Sequence, residues 1–402
     1  VGRSRLPVLD EEVLTQSVQT VASLRGKYQL TRTPSEDLSY ETLRAFVLRA
    51  VSTLKGDKSP GYPFNLRYAT NREAMLAEGS RIVDLAILRL RLLLDPLFNF
   101  EEMVADPYLL VSRGLVDPLH MFVKGEPHPA RKATDGRWRC ISSISVVDNL
   151  VETVLFDEPA KVLRDRVFLN TTATGIGFTD RQNREFLESQ EAFIKRYGVP
   201  IQSDQSGFDA CHTLQTGLAT CDIDALVYHK EGGLHNWNVA NRRYILLSAY
   251  SVVQLDGILY VKAKPGMLNS GSKDTTRRNT LYQCLYSSYI TISRKGQVYM
   301  TLANGDDGLT YTDLSTDEYM RSARKAGFSL RDVSRTLPLE FCSHRYLGDG
   351  RAELLSWKKG VYRVLTSEVM KPEDAMQFAH ETRHNPEHER ILAFLRLRFA
   401  EL

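Results

Sequence analysis

Nowhere in the 402 residues is there an unbroken apolar run of the length a membrane span needs, roughly eighteen residues. The most apolar stretch, residues 82–98, is interrupted by Arg89, Arg91 and Asp95. It reads as an amphipathic helix that ends near Asp95-Pro96. No signal peptide opens the chain. Its first residue is Val1, which fits a proteolytic product or a trimmed chain. Five cysteines (140, 211, 221, 284 and 342) include no CxxC pair and no histidine at zinc-site spacing. They read as reduced core or surface thiols of an intracellular protein, and the adjacent Cys211-His212 as core packing. Blocks of like charge are missing too. With 52 Lys and Arg against 49 Asp and Glu, the net charge is +3. A nucleic-acid site would therefore have to come from basic groups clustered in a cleft, not from a basic tail. No internal repeat or low-complexity segment stands out, which argues against a solenoid. What remains is 43% hydrophobic and 25% charged, ordinary for a globular protein of two or three domains.

What is present centres on residues 298–312. A β-branched, apolar run leads into Asn304-Gly305, then Asp306-Asp307, then a second run with strand character. Asn-Gly between such runs signals a tight hairpin because both residues tolerate positive φ. The two acids therefore sit at or beside its tip. Neighbouring carboxylates repel, so a proton, a basic partner or divalent cations must offset them. Hard oxygen donors at a turn suit Mg²⁺ or Mn²⁺. Upstream, a short apolar strand ends at Asp204, and a glycine turn carries Asp209 to the head of a helix.

The remaining chain supplies helices and loops around these acids. Residues 1–54 are mostly helical, with starts at Asp10 and at Ser35-Glu36-Asp37. Residues 56–64 form a rigid loop punctuated by glycine and proline, whose Lys58, Ser59 and Tyr62 could guide a nucleic-acid backbone and whose Gly61 permits close approach. In 120–145, Lys124, Arg131, Lys132, Arg137 and Arg139 interleave with Phe122 and Trp138. Alternation over 137–141 predicts a strand with Arg137 and Arg139 on one face, a phosphate clamp unless Glu126 and Asp135 pair with them. Helices are expected over 143–167 and 181–197, and a hairpin at Asp256-Gly257. Residues 264–279 form a loop that runs into a long helix with Thr275 and Asn279 on one face. Ser270-Gly271 stands at that helix's mouth. A helix over 315–326, a short strand or turn over 341–345, a further strand over 357–365 and a helical tail from Glu373 complete the reading.

Two-metal phosphoryl transfer needs carboxylates holding cations roughly 3.5–4 Å apart, and Asp204, Asp306 and Asp307 are candidates. A triphosphate needs basic groups, available at Arg139, Arg131, Lys132 and Lys124. A sugar needs polar readers, available at Asp209, Ser270, Thr275 and Asn279.

The chain resembles a viral RNA-dependent RNA polymerase of a positive-strand RNA virus. Asp204-x4-Asp209 matches that family's motif A, Ser270-Gly271-x3-Thr275-x3-Asn279 its motif B, and Asn304-Gly305-Asp306-Asp307 its motif C. Lys124-x-Glu126 through Arg139 resembles motif F, Ser59-x-Gly61-Tyr62-Pro63 motif G, and Phe341-Cys342-Ser343 motif E. Residues 122–128 with 141–156 are similar to the sobemovirus-like (solemovirus) group.

The resemblance implies an α+β closed right hand of fingers, palm and thumb, with an antiparallel palm sheet carrying the acids. It divides the chain into 1–150 (fingers, motifs G and F), 151–225 (start of the palm, motif A), 226–263 (fingers insertion), 264–350 (palm, motifs B to E) and 351–402 (a short thumb). Asp204 and Asp306 would bind two Mg²⁺ or Mn²⁺ ions, with Asp307 supporting. Asp209 and Asn279, with Ser270 and Thr275, would read the ribose, and Arg139, Lys124, Arg131 and Lys132 the triphosphate. Ser59, Gly61, Gly271, Cys342 and Ser343 would contact RNA, and the loop 266–271 would flex during translocation. Lys325 or Arg331 would supply a general acid, although arginine scarcely gives up its proton. Implied partners are template and product RNA, NTPs and a genome-linked viral protein primer, in replication complexes of the host cytoplasm. The rivals are a reverse transcriptase, which would place a bulky aromatic at Asp209, and a non-catalytic RNA-binding protein with a polymerase-like palm.

Overall fold

Helix caps fix where the N-terminal elements begin. Asp10 caps the helix Glu11–Arg25, accepting from the Val13 N–H at 3.0 Å. The helix expected from Ser35 starts only at Tyr40, capped by Ser39. Asp37 instead accepts from the Ser39 N–H and the Thr42 hydroxyl, an Asx-type turn that holds the chain out of helix. The computed structural model describes residues 7–400 except 35, 126–133, 135, 137, 166, 169–170, 206, 267 and 368–369. The apolar helix Asn71–Leu94 ends at Asp95, where the Asp-Pro pair places its stop.

The sheet that matters has four antiparallel strands, in the order Leu330–Ser334, Ile201–Gln205, Asp307–Thr312, Val298–Asn304. Register places Arg331 opposite Asp204, Gly308 opposite Ser203, and Asn304 opposite Asp307. All three predicted acids therefore collect at one end of the sheet. The hairpin tip is Gly305-Asp306, one residue later than Asn-Gly. Gly305 has φ 65°, and neither Asn304 nor Asp306 has positive φ, the pattern of a turn with glycine first.

Behind the sheet lies the helix Thr275–Ile292, buried along nearly its whole length against both strands of the hairpin. The N-terminal helix Glu11–Arg25 packs on it and on Leu214–Val227. A helix buried all round needs its polar groups paired. Its first turn does this with charge. Arg277 and Arg278 both bridge Asp274 and Asp224, with N···O distances of 2.5–3.3 Å, and Asn241 joins them. All four charged side chains are 1% exposed, so these arginines hold helices together and contact no nucleic acid.

A second sheet runs Cys140–Ser143, Leu119–Val123, Val252–Leu255, Ile258–Val261, the last two joined at Asp256-Gly257 as predicted. The strand expected over 137–141 begins at Cys140. Arg139 precedes it, its carbonyl accepting from the Lys124 N–H at 2.8 Å, and Arg137 lies outside the described residues. The strand expected over 357–365 is a helix, Trp357–Thr366. Trp357, Val361, Val364 and Leu365 recur at helical spacing and pack against Pro372–Glu381 and His388–Arg396 in a separate small core.

Candidate active site

Asp306 stands on the turn and reaches water, whereas Asp204 and Asp307 are half-buried. Burial of the carboxyl groups raises both Asp306 and Asp307. It pushes Asp307 up to about 7, helped by repulsion from Asp306 and then Asp204. It also raises Asp306, with repulsion from Asp209 set against attraction to Arg139 and Arg331. These mutual effects mark a crowded set of acids. The Thr280 hydroxyl fixes the turn by accepting the Gly305 N–H at 2.9 Å. Asn304 Nδ2 donates to Cys342 Sγ at 3.3 Å, tying the turn to the hairpin Leu339–Phe341 and His344–Tyr346. That segment, expected as a strand or turn, is a hairpin whose central Cys342 and Ser343 have φ of 51° and 58°.

Asp209 lies beside this group at the head of the short helix Phe208–Cys211. Burial raises its carboxyl, opposed by the Asn279 amide, which donates to it at 2.9 Å, and by Arg139. Arg139 thus acts on both Asp209 and Asp306. Lys124 sits at the end of the neighbouring strand, and Arg131 and Lys132 lie outside the described residues.

The other predicted sugar readers are engaged with the backbone. The Thr275 hydroxyl is 2.8 Å from both the Asn269 and Ser272 carbonyls, and Ser270 Oγ accepts the Ser142 N–H at 3.1 Å. They shape the loop 268–275. Gly271 and Gly61 grip the same segment from two sides. A Cβ on Gly271 would fall 2.1 Å from the Ser142 carbonyl oxygen, and one on Gly61 2.1 Å from that of Ile144. Ser59 is exposed beside Gly61, its Oγ accepting the Gly61 N–H at 3.3 Å. Of the two candidate general acids, Arg331 donates from Nη2 to Asp204 Oδ2 at 2.8 Å, and Lys325 is exposed on the last turn of Thr316–Lys325.

Glu152, part of the 141–156 stretch that carries the sobemovirus-like resemblance, was given no role in the sequence reading. It accepts from Ser272 Oγ at 3.0 Å, from the Lys273 N–H at 2.6 Å and from the Tyr244 hydroxyl, clasping the 268–275 loop from the helix Val146–Arg164. Its partners lie 92 to 121 residues away, and no local pattern announces them. Burial pushes its carboxyl up to about 8 from an ordinary 4.5. Between those values the folded chain keeps a proton that the unfolded chain has lost, so this contribution to stability declines as pH rises. The stability of the wild type relative to Glu152→Gln should therefore fall from pH 5 to 8, by at most about 1.4 kcal/mol per pH unit. A difference that stays flat in denaturant melts across that range would show the carboxyl ionises normally.

The donor chemistry suits a hard divalent cation: carboxylates crowded enough to raise one another's affinity for protons gain from a positive ion among them. Among the described residues, no three or more His, Cys, Asp or Glu side chains, Asp204, Asp306 and Asp307 included, stand close enough together to hold a metal ion by themselves. Mg²⁺ is commonly held by one or two carboxylates plus substrate phosphates and water, so an open arrangement is compatible with it.

A family model described as viral RNA-directed RNA-polymerase matches residues 18–189 and 238–350. The replicase polyprotein P2AB of Southern bean mosaic virus (isolate Bean/United States/Arkansas) is 31% identical over 340 residues, 82% of this chain and 33% of that polyprotein. The RNA-directed RNA polymerase of Mushroom bacilliform virus (isolate Australia/AUS LF-1) is 26% identical over 372 residues, 86% of this chain and 84% of its own. Among solved structures, the Sicinivirus 3Dpol RNA dependent RNA polymerase aligns with a TM-score of 0.66 over 98% of this chain and 81% of that one. At 12% identity that likeness shows the fold, the α+β right hand. The chain spans about a third of the length of the replicase polyproteins it matches. The matched stretches take in the 270–279 loop and helix and the Asp306-Asp307 turn, and the chain belongs to the viral RNA-directed RNA polymerases, in the sobemovirus-like group of positive-strand viruses.

Proposed function

We propose that this chain extends RNA on an RNA template, joining NTPs to a 3′-hydroxyl for viral genome replication. The observation that carries the reading is the meeting of Asp204, Asp306 and Asp307 at one sheet end, with the Asp209–Asn279 pair beside them. Asp204 and Asp306, supported by Asp307, would hold two Mg²⁺ or Mn²⁺ ions. Bound there, such ions would activate the attacking hydroxyl and stabilise the leaving pyrophosphate. Arg139, exposed and close enough to act on Asp209 and Asp306, would hold the triphosphate together with Lys124. Asp209 and Asn279 would receive the ribose 2′-hydroxyl, and a site built to bond a hydroxyl rejects the analogue that lacks it. Arg331 pairs with Asp204 at 2.8 Å and would offset its charge, a role an arginine performs better than proton donation.

In this reading the fingers comprise 1–150 and 226–263, the palm 151–225 and 264–350, and the thumb 351–402. Template and product RNA would run past Ser59, Gly61, Gly271, Cys342 and Ser343. The setting is a replication complex in the host cytoplasm, with a genome-linked viral protein as primer. Among the described residues no helix is long and apolar enough to cross a membrane.

Purified chain given a primed homopolymer template, Mg²⁺ or Mn²⁺ and labelled nucleotides should incorporate NTPs and discriminate against dNTPs. Preference for dNTPs would support a reverse transcriptase, and no incorporation a non-catalytic RNA-binding protein.

A further inference from the structure

The adjacent Cys211 and His212, which read as packing in the sequence, stand one turn from Asp209, and the chemistry above makes no use of them. His212 is 1% exposed, its ring stacked on Tyr282 with centroids 3.7 Å apart. Its Nδ1 lies 2.7 Å from the Tyr286 hydroxyl and its Nε2 3.1 Å from Asn279 Oδ1. The proton positions follow from donor chemistry. An ionised Asp209 only accepts, so the Asn279 group that meets it at 2.9 Å is the NH₂. That turns the amide oxygen, an acceptor, toward His212. Nε2 must then carry the imidazole proton, which leaves Nδ1 an acceptor 2.7 Å from the Tyr286 hydroxyl, a single donor that also lies 3.3 Å from Thr216 Oγ1. Burial drives the imidazole down to about 3, so the ring stays neutral.

We propose that His212 is the positioning residue for sugar discrimination: it locks the Asn279 amide in the orientation that offers Nδ2 to Asp209, so that the pair presents a fixed edge to the 2′-hydroxyl. The inference rests on the ribose-reading role given above to Asp209 and Asn279. A flipped amide would set its oxygen against the Asp209 carboxylate and its NH₂ against the Nε2–H, leaving both contacts unmade. The backbone joins the same unit to the 266–271 loop. Thr213 bridges Gly266, a Cβ on Gly266 would lie 2.5 Å from the His212 carbonyl oxygen, and the Leu268 N–H donates to the Asp209 carbonyl at 2.9 Å.

The test is single-nucleotide incorporation on primed RNA, with kcat and KM measured separately for a matched NTP and its dNTP. His212→Phe keeps a ring on Tyr282 and loses both nitrogens. It should lower the NTP-over-dNTP ratio of kcat/KM about tenfold, the worth of roughly one hydrogen bond, while kcat for the NTP stays within about threefold. His212→Gln, which restores a donor, should recover part of the ratio. In the double variant with Asn279→Ala, the histidine change should add nothing further, because both act through one amide. Tyr286→Phe, which removes the hydroxyl that faces Nδ1 together with its contact to Thr216, should shift the ratio the same way and tests the anchoring of His212 even if His212→Phe folds poorly. An unchanged ratio in His212→Phe or, should that variant not fold, in Tyr286→Phe, alongside a lowered one in Asn279→Ala, overturns the role of His212 and leaves the ribose reading standing. An unchanged ratio in Asn279→Ala overturns the ribose reading itself, and this inference with it.

Discussion

Asp306→Ala is expected to lower nucleotide addition by at least about 10³-fold, since metal-held charge stabilisation is worth several kcal/mol and each 1.36 kcal/mol is tenfold in rate. The fold should survive the change. Asp306 is exposed on a two-residue turn, and the turn is held from behind by the Thr280 hydroxyl on the Gly305 N–H and by the Asn304–Cys342 contact. Affinity for RNA should also survive within a few-fold, because it comes from basic groups meeting phosphates elsewhere in the cleft. Removing one of several crowded acids relieves repulsion as well, so the melting temperature should stay level or rise slightly. Primer extension, filter binding and a thermal melt on one preparation separate the three effects. Turnover at the wild-type rate would remove Asp306 from the catalytic set, and lost RNA binding would show that its role is architectural.

How much of this was legible beforehand follows from how local each requirement is. Asp306-Asp307 could be read because strand, turn and acids are contiguous, and Asp204 because a carboxylate at a strand end is a poor core residue. Even there the turn fell one residue beyond Asn-Gly, since pairing of Asn304 with Asp307 leaves Gly305 and Asp306 as the loop. Ser270 and Thr275 were found by spacing, but spacing does not say where a hydroxyl points. Theirs are engaged with Ser142 and with the loop's own carbonyls. The roles of Glu152 and Asp224 were invisible because the partners of the one and the arginines of the other are more than 50 residues away, and burying a charge requires partners without requiring them to be near in sequence. The helix at 357–366 was missed for a different reason: Val361, Tyr362, Val364 and Leu365 read as a short β-branched and aromatic strand unless the run is counted from Trp357, which shows the helical spacing. His212 combined both difficulties, a buried polar residue whose purpose depends on the flip of an amide 67 residues on.

Gly271→Ala is the second change expected to cost most of the activity, and it does so without touching a charged group. The added methyl would sit 2.1 Å from the Ser142 carbonyl oxygen, 3.0 Å from its carbonyl carbon and 3.1 Å from Ser143 Cα, all of them backbone. Ser142 cannot retreat cheaply. It lies in the strand Cys140–Ser143, paired to Leu119–Val123, and the segment just beyond it is backed by Gly61 against Ile144 and by the Val146 N–H on the Pro60 carbonyl at 2.7 Å. The loop must move instead, which breaks the Ser142–Ser270 hydrogen bond and shifts Asn269, Thr275 and the head of the helix bearing Asn279. Overpacking of this kind costs about 1–3 kcal/mol of stability. A displacement near 1 Å at the reacting groups costs about 10²-fold in rate. Primer extension should accordingly fall about a hundredfold while the chain remains folded. Gly348→Ala, at a glycine with open space around its Cβ and no positive φ, serves as the control and should stay within about twofold. Equal activity in the two variants would mean that the loop is free to leave Ser142 without loss, and that its docking on the 142–146 segment does not set the position of Asn279.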